Sequence, residues 1–162
     1  MKNNLFYDSE DKHEFSKIGK SFVGGVLCYF DEIFAIIIGS SKKLPKDNHV
    51  FKFSYQDDNS AIISPCYYVE NEKMTRSGWG KRCLFRGILP ETNMYLALSA
   101  IYMAGLIGIK EKIDYTLYCD ENHTVNSVSI AEKINKLKNC KPFIELFGNE
   151  IIEEIIKNLK KL

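Results

Sequence analysis

No Cys-x-x-Cys pair occurs in these 162 residues: the five cysteines, Cys28, Cys66, Cys83, Cys119 and Cys140, are odd in number, widely spaced and set mostly among apolar neighbours. That spacing excludes a zinc ribbon or a dithiol redox motif. It predicts reduced thiols packed as small hydrophobes, in the cytoplasm or another reducing compartment. No apolar stretch reaches the roughly 18 uninterrupted residues of a membrane span, and the charge-mixed opening from Met1 to Glu14 lacks the apolar centre of a signal peptide. The expectation is a soluble, unexported protein with no membrane partner. A basic excess is missing too. Lys and Arg number 22 against 21 Asp and Glu, so any nucleic acid must be held by a local patch. Histidine is scarce, and His13, His49 and His123 all sit in polar turns or loops. Nucleophile elbows, phosphate loops, zinc-protease patterns, internal repeats and low-complexity segments are all lacking.

What is present is a core-forming composition, 45% apolar and 12% aromatic, at a length that suits one domain over residues 1–162. Asn3 to Tyr7 reads as a short strand before the charged turn from Asp8 to Glu14. Phe22 to Phe30 and the β-branched run Ile33 to Ile38 read as a hairpin. Val50 to Tyr55 and Ala61 to Val69 extend the sheet, and Glu70 to Gly87, with three glycines and no sustained period, is a loop or irregular hairpin. The firmest helix starts at Thr92 and ends at Gly105 or Gly108; it is apolar nearly all round, which predicts burial. A short strand from Tyr115 to Cys119 and a helix from Val125 to Leu137 follow. Phe143 to Phe147 reads as a last strand. Asn149 to Leu162 forms an amphipathic helix with Ile151, Ile152, Ile155, Ile156, Leu159 and Leu162 on one face, acids first and lysines last. Strands followed by alternating helices and strands suit a mixed sheet with helices on its faces.

Four segments in order resemble landmarks of type 1 ribonuclease H and the related reverse-transcriptase domain. Leu5 to Ser9, followed by Phe22 to Leu27, is similar to a first strand ending in a catalytic Asp and a glycine-rich entry to the second. Thr92 to Ala100 resembles the opening of the central helix, with Ala97 where that family has its catalytic Glu. Tyr115 to Asp120 and Val125 to Val128 resemble the strand ending in a second Asp and the helix after it. Gly148 to Glu154 resembles the opening of the last helix, with Glu153 in place of an Asp. The resemblance implies an α/β ribonuclease H-like fold, a mixed five-stranded sheet flanked by helices, enlarged by a middle loop or hairpin between Lys42 and Leu89.

Two-metal hydrolysis needs several hard oxygen ligands converging on paired Mg²⁺ ions. The resemblance assigns catalysis to Asp8, Asp120 and Glu153, and Mg²⁺ binding to the same three acids with Glu10, which projects from the same side of an extended strand as Asp8. Each acid also has a plain structural role: Asp8 ends a strand in a turn, Asp120 caps a helix, and Glu153 faces a helix dipole. Separately, Arg76, Lys81, Arg82 and Arg86 interleave with Trp79 in a stretch free of acids, a pattern suited to phosphates and an unpaired base.

The expected function is a ribonuclease H-like nucleic-acid-binding domain, with catalysis lost or weakened at Ala97, acting on RNA or an RNA/DNA hybrid within a larger complex. The alternatives are an active divergent Mg²⁺-dependent nuclease and a structural subunit that docks on protein.

Overall fold

The computed structural model describes residues 4–42, 51–52, 63–66, 68–70, 73–75, 81–118, 124–125 and 128–162. In chain order the elements are α1 (Lys17–Cys28), α2 (Phe30–Ser41), β1 (Phe51–Lys52), β2 (Ile63–Cys66), β3 (Tyr68–Glu70), β4 (Lys73–Thr75), β5 (Arg82–Phe85), α3 (Met94–Glu111), a 3-10 turn (Tyr115–Tyr118), β6 (Thr124–Val125), α4 (Ile130–Asn139), α5 (Lys141–Phe147) and α6 (Asn149–Leu159). Among the described residues the strands form three antiparallel pairs, β1 with β6, β2 with β5 and β3 with β4. In register, Phe51 faces Val125, Ile63 faces Phe85 and Tyr68 faces Thr75.

This is not the five-stranded mixed sheet expected from the sequence. The expected hairpin of Phe22 to Phe30 and Ile33 to Ile38 is two helices. Ser16 caps the first by accepting a hydrogen bond from the Gly19 amide at 3.0 Å. α1 and α2 meet at Tyr29 with a bend of 61°. α2 is enclosed on nearly every side, and Ile33, Ala35, Ile36 and Ile37 are wholly buried. A helix buried all round shows no amphipathic period, so its β-branched run imitates a core strand. Fully burying each isoleucine contributes roughly 1.5–3 kcal/mol, which outweighs the few tenths by which β-branching disfavours a helix.

Two other expected strands are helical. At Tyr115, the Asp114 carboxylate accepts hydrogen bonds from the Thr116 amide at 2.9 Å and hydroxyl at 2.8 Å, and this local turn starts the 3-10 segment. Phe143 lies in α5, with Pro142 in the first turn, where a missing amide is tolerated. Near the start of the chain, Tyr7 forms only an isolated bridge with Phe15. The expected helix from Val125 starts at Ile130 instead, after the β6 strand, where Ser129 and Glu132 form a capping box.

α3 is a helix as expected, and it runs on to Glu111. The Asn93 side chain accepts from the amides of Tyr95 and Leu96 at 3.1 and 3.3 Å. Its burial is one-sided rather than complete. Ala97, Ala100, Ala104, Gly105 and Gly108 are buried, with α1 as the main packing partner. The opposite face carries Tyr95, Leu98, Tyr102 and Leu106 in the open. By length and composition alone, α3 meets the requirement of a membrane span.

α6 is amphipathic as read. Ile152, Ile155, Ile156 and Leu159 are buried, while Ile151 and Leu162 remain exposed. α6 and α4 both pack on α2, which makes α2 the centre of the helical layer.

Candidate functional site

Asp31 and Glu32 break an otherwise apolar helix at its first turn, and α2 carries them into contact with α4. Asp31 is 5% exposed. Its carboxylate accepts hydrogen bonds from the Val128 amide at 3.2 Å and the Lys136 ammonium at 2.6 Å. The Lys133 ammonium lies 3.4 Å away and donates to the Val128 carbonyl. Burial alone would raise the Asp31 pKa, but Lys136, the Val128 amide and the Lys133 charge outweigh it and hold the carboxyl below its usual range. Lys133 is driven the other way: burial favours its neutral form, and Asp31 restores only part of the difference. The Glu32 pKa is raised by burial, with Asp31 adding to the effect, and its Oε2 has no hydrogen-bond partner among the described residues. The cluster is a structural tie between α2 and α4. Sequence reasoning missed it, although an Asp-Glu pair at the head of an apolar run was a usable signal.

A second cluster ties the N-terminal turn to β5. Asp8 is a turn residue, its carboxylate accepting from the Glu10 amide at 3.0 Å. Asp11 accepts from the amides of His13 and Phe15 at 3.0 and 3.2 Å and pairs with Lys20. Lys81, expected to meet phosphates, is instead 4% exposed. Its ammonium donates to the His13 carbonyl at 2.7 Å and stands 5.8 Å from the centre of the Phe15 ring. The Asn4 side chain donates to the Lys81 carbonyl at 2.6 Å. Of the other basic residues, Arg82 is exposed and Arg86 is half-buried. Arg76 and Trp79 lie outside the described residues, as does Asp120.

Glu153 is exposed on α6, in an open cleft of about 670 Å³ with Lys138, Lys157, Lys160 and Lys161 around it and Ile152 and Ile156 at its base. Another cleft, of about 700 Å³, lies between the start of α1 and the end of α3 and includes Lys17, Lys20, Lys112 and Asp114. Asp8, Glu10 and Glu153 do not form one cluster, and the fourth expected acid lies outside the described residues. Asp8 and Glu10 belong to the N-terminal turn and Glu153 to α6. Among the described residues no group of three or more His, Cys, Asp or Glu side chains is placed to hold a metal ion. The described carboxylates do not fit a Mg²⁺ site.

The match to known proteins decides the family. Residues 1–161 match the family model described as the glutamine synthetase catalytic domain. The chain belongs to the glutamine synthetase catalytic-domain family. It is 31% identical to a glutamine synthetase of Sulfolobus acidocaldarius, over 98% of this chain and 36% of that protein. With a glutamine synthetase of Thermotoga maritima the identity is 30%, over 98% of this chain and 38% of the relative. A solved structure described as a novel glutamine synthase homolog shares the fold: the TM-score is 0.70 at 15% identity, covering 97% of this chain and 37% of that one. The chain thus spans little more than a third of the length of these relatives.

Membership of the glutamine synthetase family overturns the ribonuclease H reading and, with it, the nuclease and nucleic-acid-binding functions and the RNA or hybrid partner. The physical source of the error is plain in Thr92 and Asn93. A polar cap followed by an Ala- and Leu-rich run is what a buried helix needs in many folds.

Proposed function

We propose that this chain is one portion of a glutamine synthetase-type catalytic unit and works when the rest of that unit is present. The observation that carries this reading is the pairing of a family match over residues 1–161 with coverage of only 36% and 38% of the two relatives. The geometry agrees: the two polar clusters described above hold elements together, and neither presents converging catalytic groups to a cleft. On this reading residues 1–162 act as one unit, and the activity to which they contribute is glutamine formation. Mg²⁺ enters only as an ion held by the completed assembly, because the described carboxylates do not supply its ligand set. The free thiols Cys28, Cys83 and Cys140 support a reducing intracellular setting.

The test is an assay of glutamine formation from glutamate and ammonia, with ATP and Mg²⁺ supplied. The chain is assayed alone and then mixed with the Thermotoga maritima synthetase from which the matching segment has been deleted. Activity only in the mixture is the expected result. Turnover by the chain alone, or an inactive mixture, would overturn the reading.

A further inference from the structure

α3 is inverted relative to an ordinary surface helix. Its fully buried residues are all small, and four of its large ones, Tyr95, Leu98, Tyr102 and Leu106, face outward. On the inner side, Gly108 and Gly25 of α1 come so close that a β-carbon on Gly25 would lie 2.7 Å from the Gly108 α-carbon. On the outer side Tyr95 is 87% exposed, Leu98 45%, Tyr102 60% and Leu106 58%. At 100° per residue these four fall within an arc of about 80°, along some three turns of helix. A contiguous stripe of this kind differs from the scattered apolar residues of a monomer surface and marks a contact face. Tyrosines at two of the four positions suit a protein interface, where an apolar ring and a polar tip are both used.

We propose that this stripe docks the part of a glutamine synthetase-type chain that these 162 residues do not contain, an inference that rests on the function proposed above. Two observations favour that occupant. The relatives carry roughly two further thirds of chain beyond the matched segment, and so does the solved neighbour of the same fold. The connection into α3 starts from β5, which pairs only with β2 among the described residues. Among the described residues this ladder is two-stranded, and such a ladder is marginal in water without a further packing partner. A lipid occupant fits less well: the Ala and Gly face of α3 is closed by α1, which carries Lys17 and Lys20.

The test is maleimide footprinting, read peptide by peptide so that native cysteines do not interfere, on Tyr95→Cys, Leu106→Cys and the off-stripe control Leu117→Cys. The probe is the segment-deleted Thermotoga maritima synthetase. Co-migration of the two proteins is measured alongside, for the parent chain and for Leu98→Glu/Leu106→Glu. The expected result is at least tenfold slower labelling at the two stripe positions in the mixture and an unchanged control, with co-migration lost in the double variant. Co-migration with the stripe still fully labelled would overturn this inference and leave the proposed function standing. Absence of co-migration would overturn both. Concentration-dependent protection of the chain alone would assign the stripe to a second copy, and protection by phosphatidylcholine vesicles alone would assign it to lipid; either result refutes the proposal.

Discussion

Gly25 and Gly108 face each other across the α1–α3 contact, and a β-carbon on Gly25 would stand 2.7 Å from the α-carbon of Gly108. Neither backbone can yield without separating the helices. Gly25→Ala is therefore expected to destabilise the fold by about 3 kcal/mol or more, lowering the melting temperature by roughly 6–12 °C. Gly148 is the contrast, with a φ of 79° and open space around it. With a ψ of 157° this is a conformation almost reserved for glycine, and Gly148→Ala meets only its backbone cost, about 1–3 kcal/mol. Calorimetry of the two variants checks the order. Equal losses would mean that the α1–α3 contact is looser than described.

Asp31 and Glu32, adjacent in the first turn of α2, have pKa values displaced in opposite directions, the first lowered by its lysines and the Val128 amide, the second raised by burial. The Asp31 pKa is lowered by folding, so its contribution is complete above the unfolded value, about pH 4, and is lost as pH falls through the folded value. The Glu32 pKa is raised, so holding it ionised costs stability at neutral pH, and the cost is relieved as pH falls through its folded value. Glu32→Gln should raise the urea midpoint at about pH 7 and converge on the parent as the pH approaches 4. Asp31→Asn should lose about 3 kcal/mol near neutral pH, since it leaves the buried Lys133 without a full counter-charge. A Glu32→Gln gain that persists unchanged to low pH would show that ionisation is not its source.

Lys81 separates a fastening role from a binding role. Lys81→Met keeps an unbranched stem over Phe15 but removes the donor to the His13 carbonyl. The expected effect is a loss of about 1.5–3 kcal/mol in the local stability of residues 4–16. Amide exchange measures it: faster exchange in that turn, with α2 and α6 unchanged, is the predicted pattern. Uniform acceleration across the chain would place Lys81 in the global core instead.

The legible parts of the fold were those whose local chemistry and burial agree. Asn93 caps α3, and the alternation of buried isoleucines and exposed acids and lysines marks α6. α1 and α2 were misread because Ile33, Ile36 and Ile37 are enclosed all round and lose the 3.6-residue period. The length of the combined run, from Lys17 to Ser41, was the neglected signal, since it exceeds any ordinary strand. Ala97 was legible only as a departure from the wrong family. In this fold it is one of the small residues that let α3 approach its neighbours. Of the Asp31 cluster only the Asp-Glu pair at the head of an apolar run was legible; its partners were not, because they lie 97 to 105 residues away in sequence.

Asn158 fixes α6 to α2 by donating from its side chain to the Gly39 carbonyl at 3.1 Å in a buried setting. The same glycine lets the helices close, since a β-carbon there would lie 2.8 Å from the Ile155 carbonyl oxygen. Asn158→Ala removes one buried hydrogen bond and should cost about 1–3 kcal/mol. Gly39→Ala forces α6 outward, at a cost of similar size. If displacing α6 is what breaks the Asn158 bond, the two changes act on one contact, and the double variant should lose less than the sum of the singles by roughly 0.5–3 kcal/mol. Urea unfolding of the four proteins measures that difference. Strict additivity would mean that Asn158 keeps its bond when the helices separate, and that the hydrogen bond does not set the α2–α6 spacing.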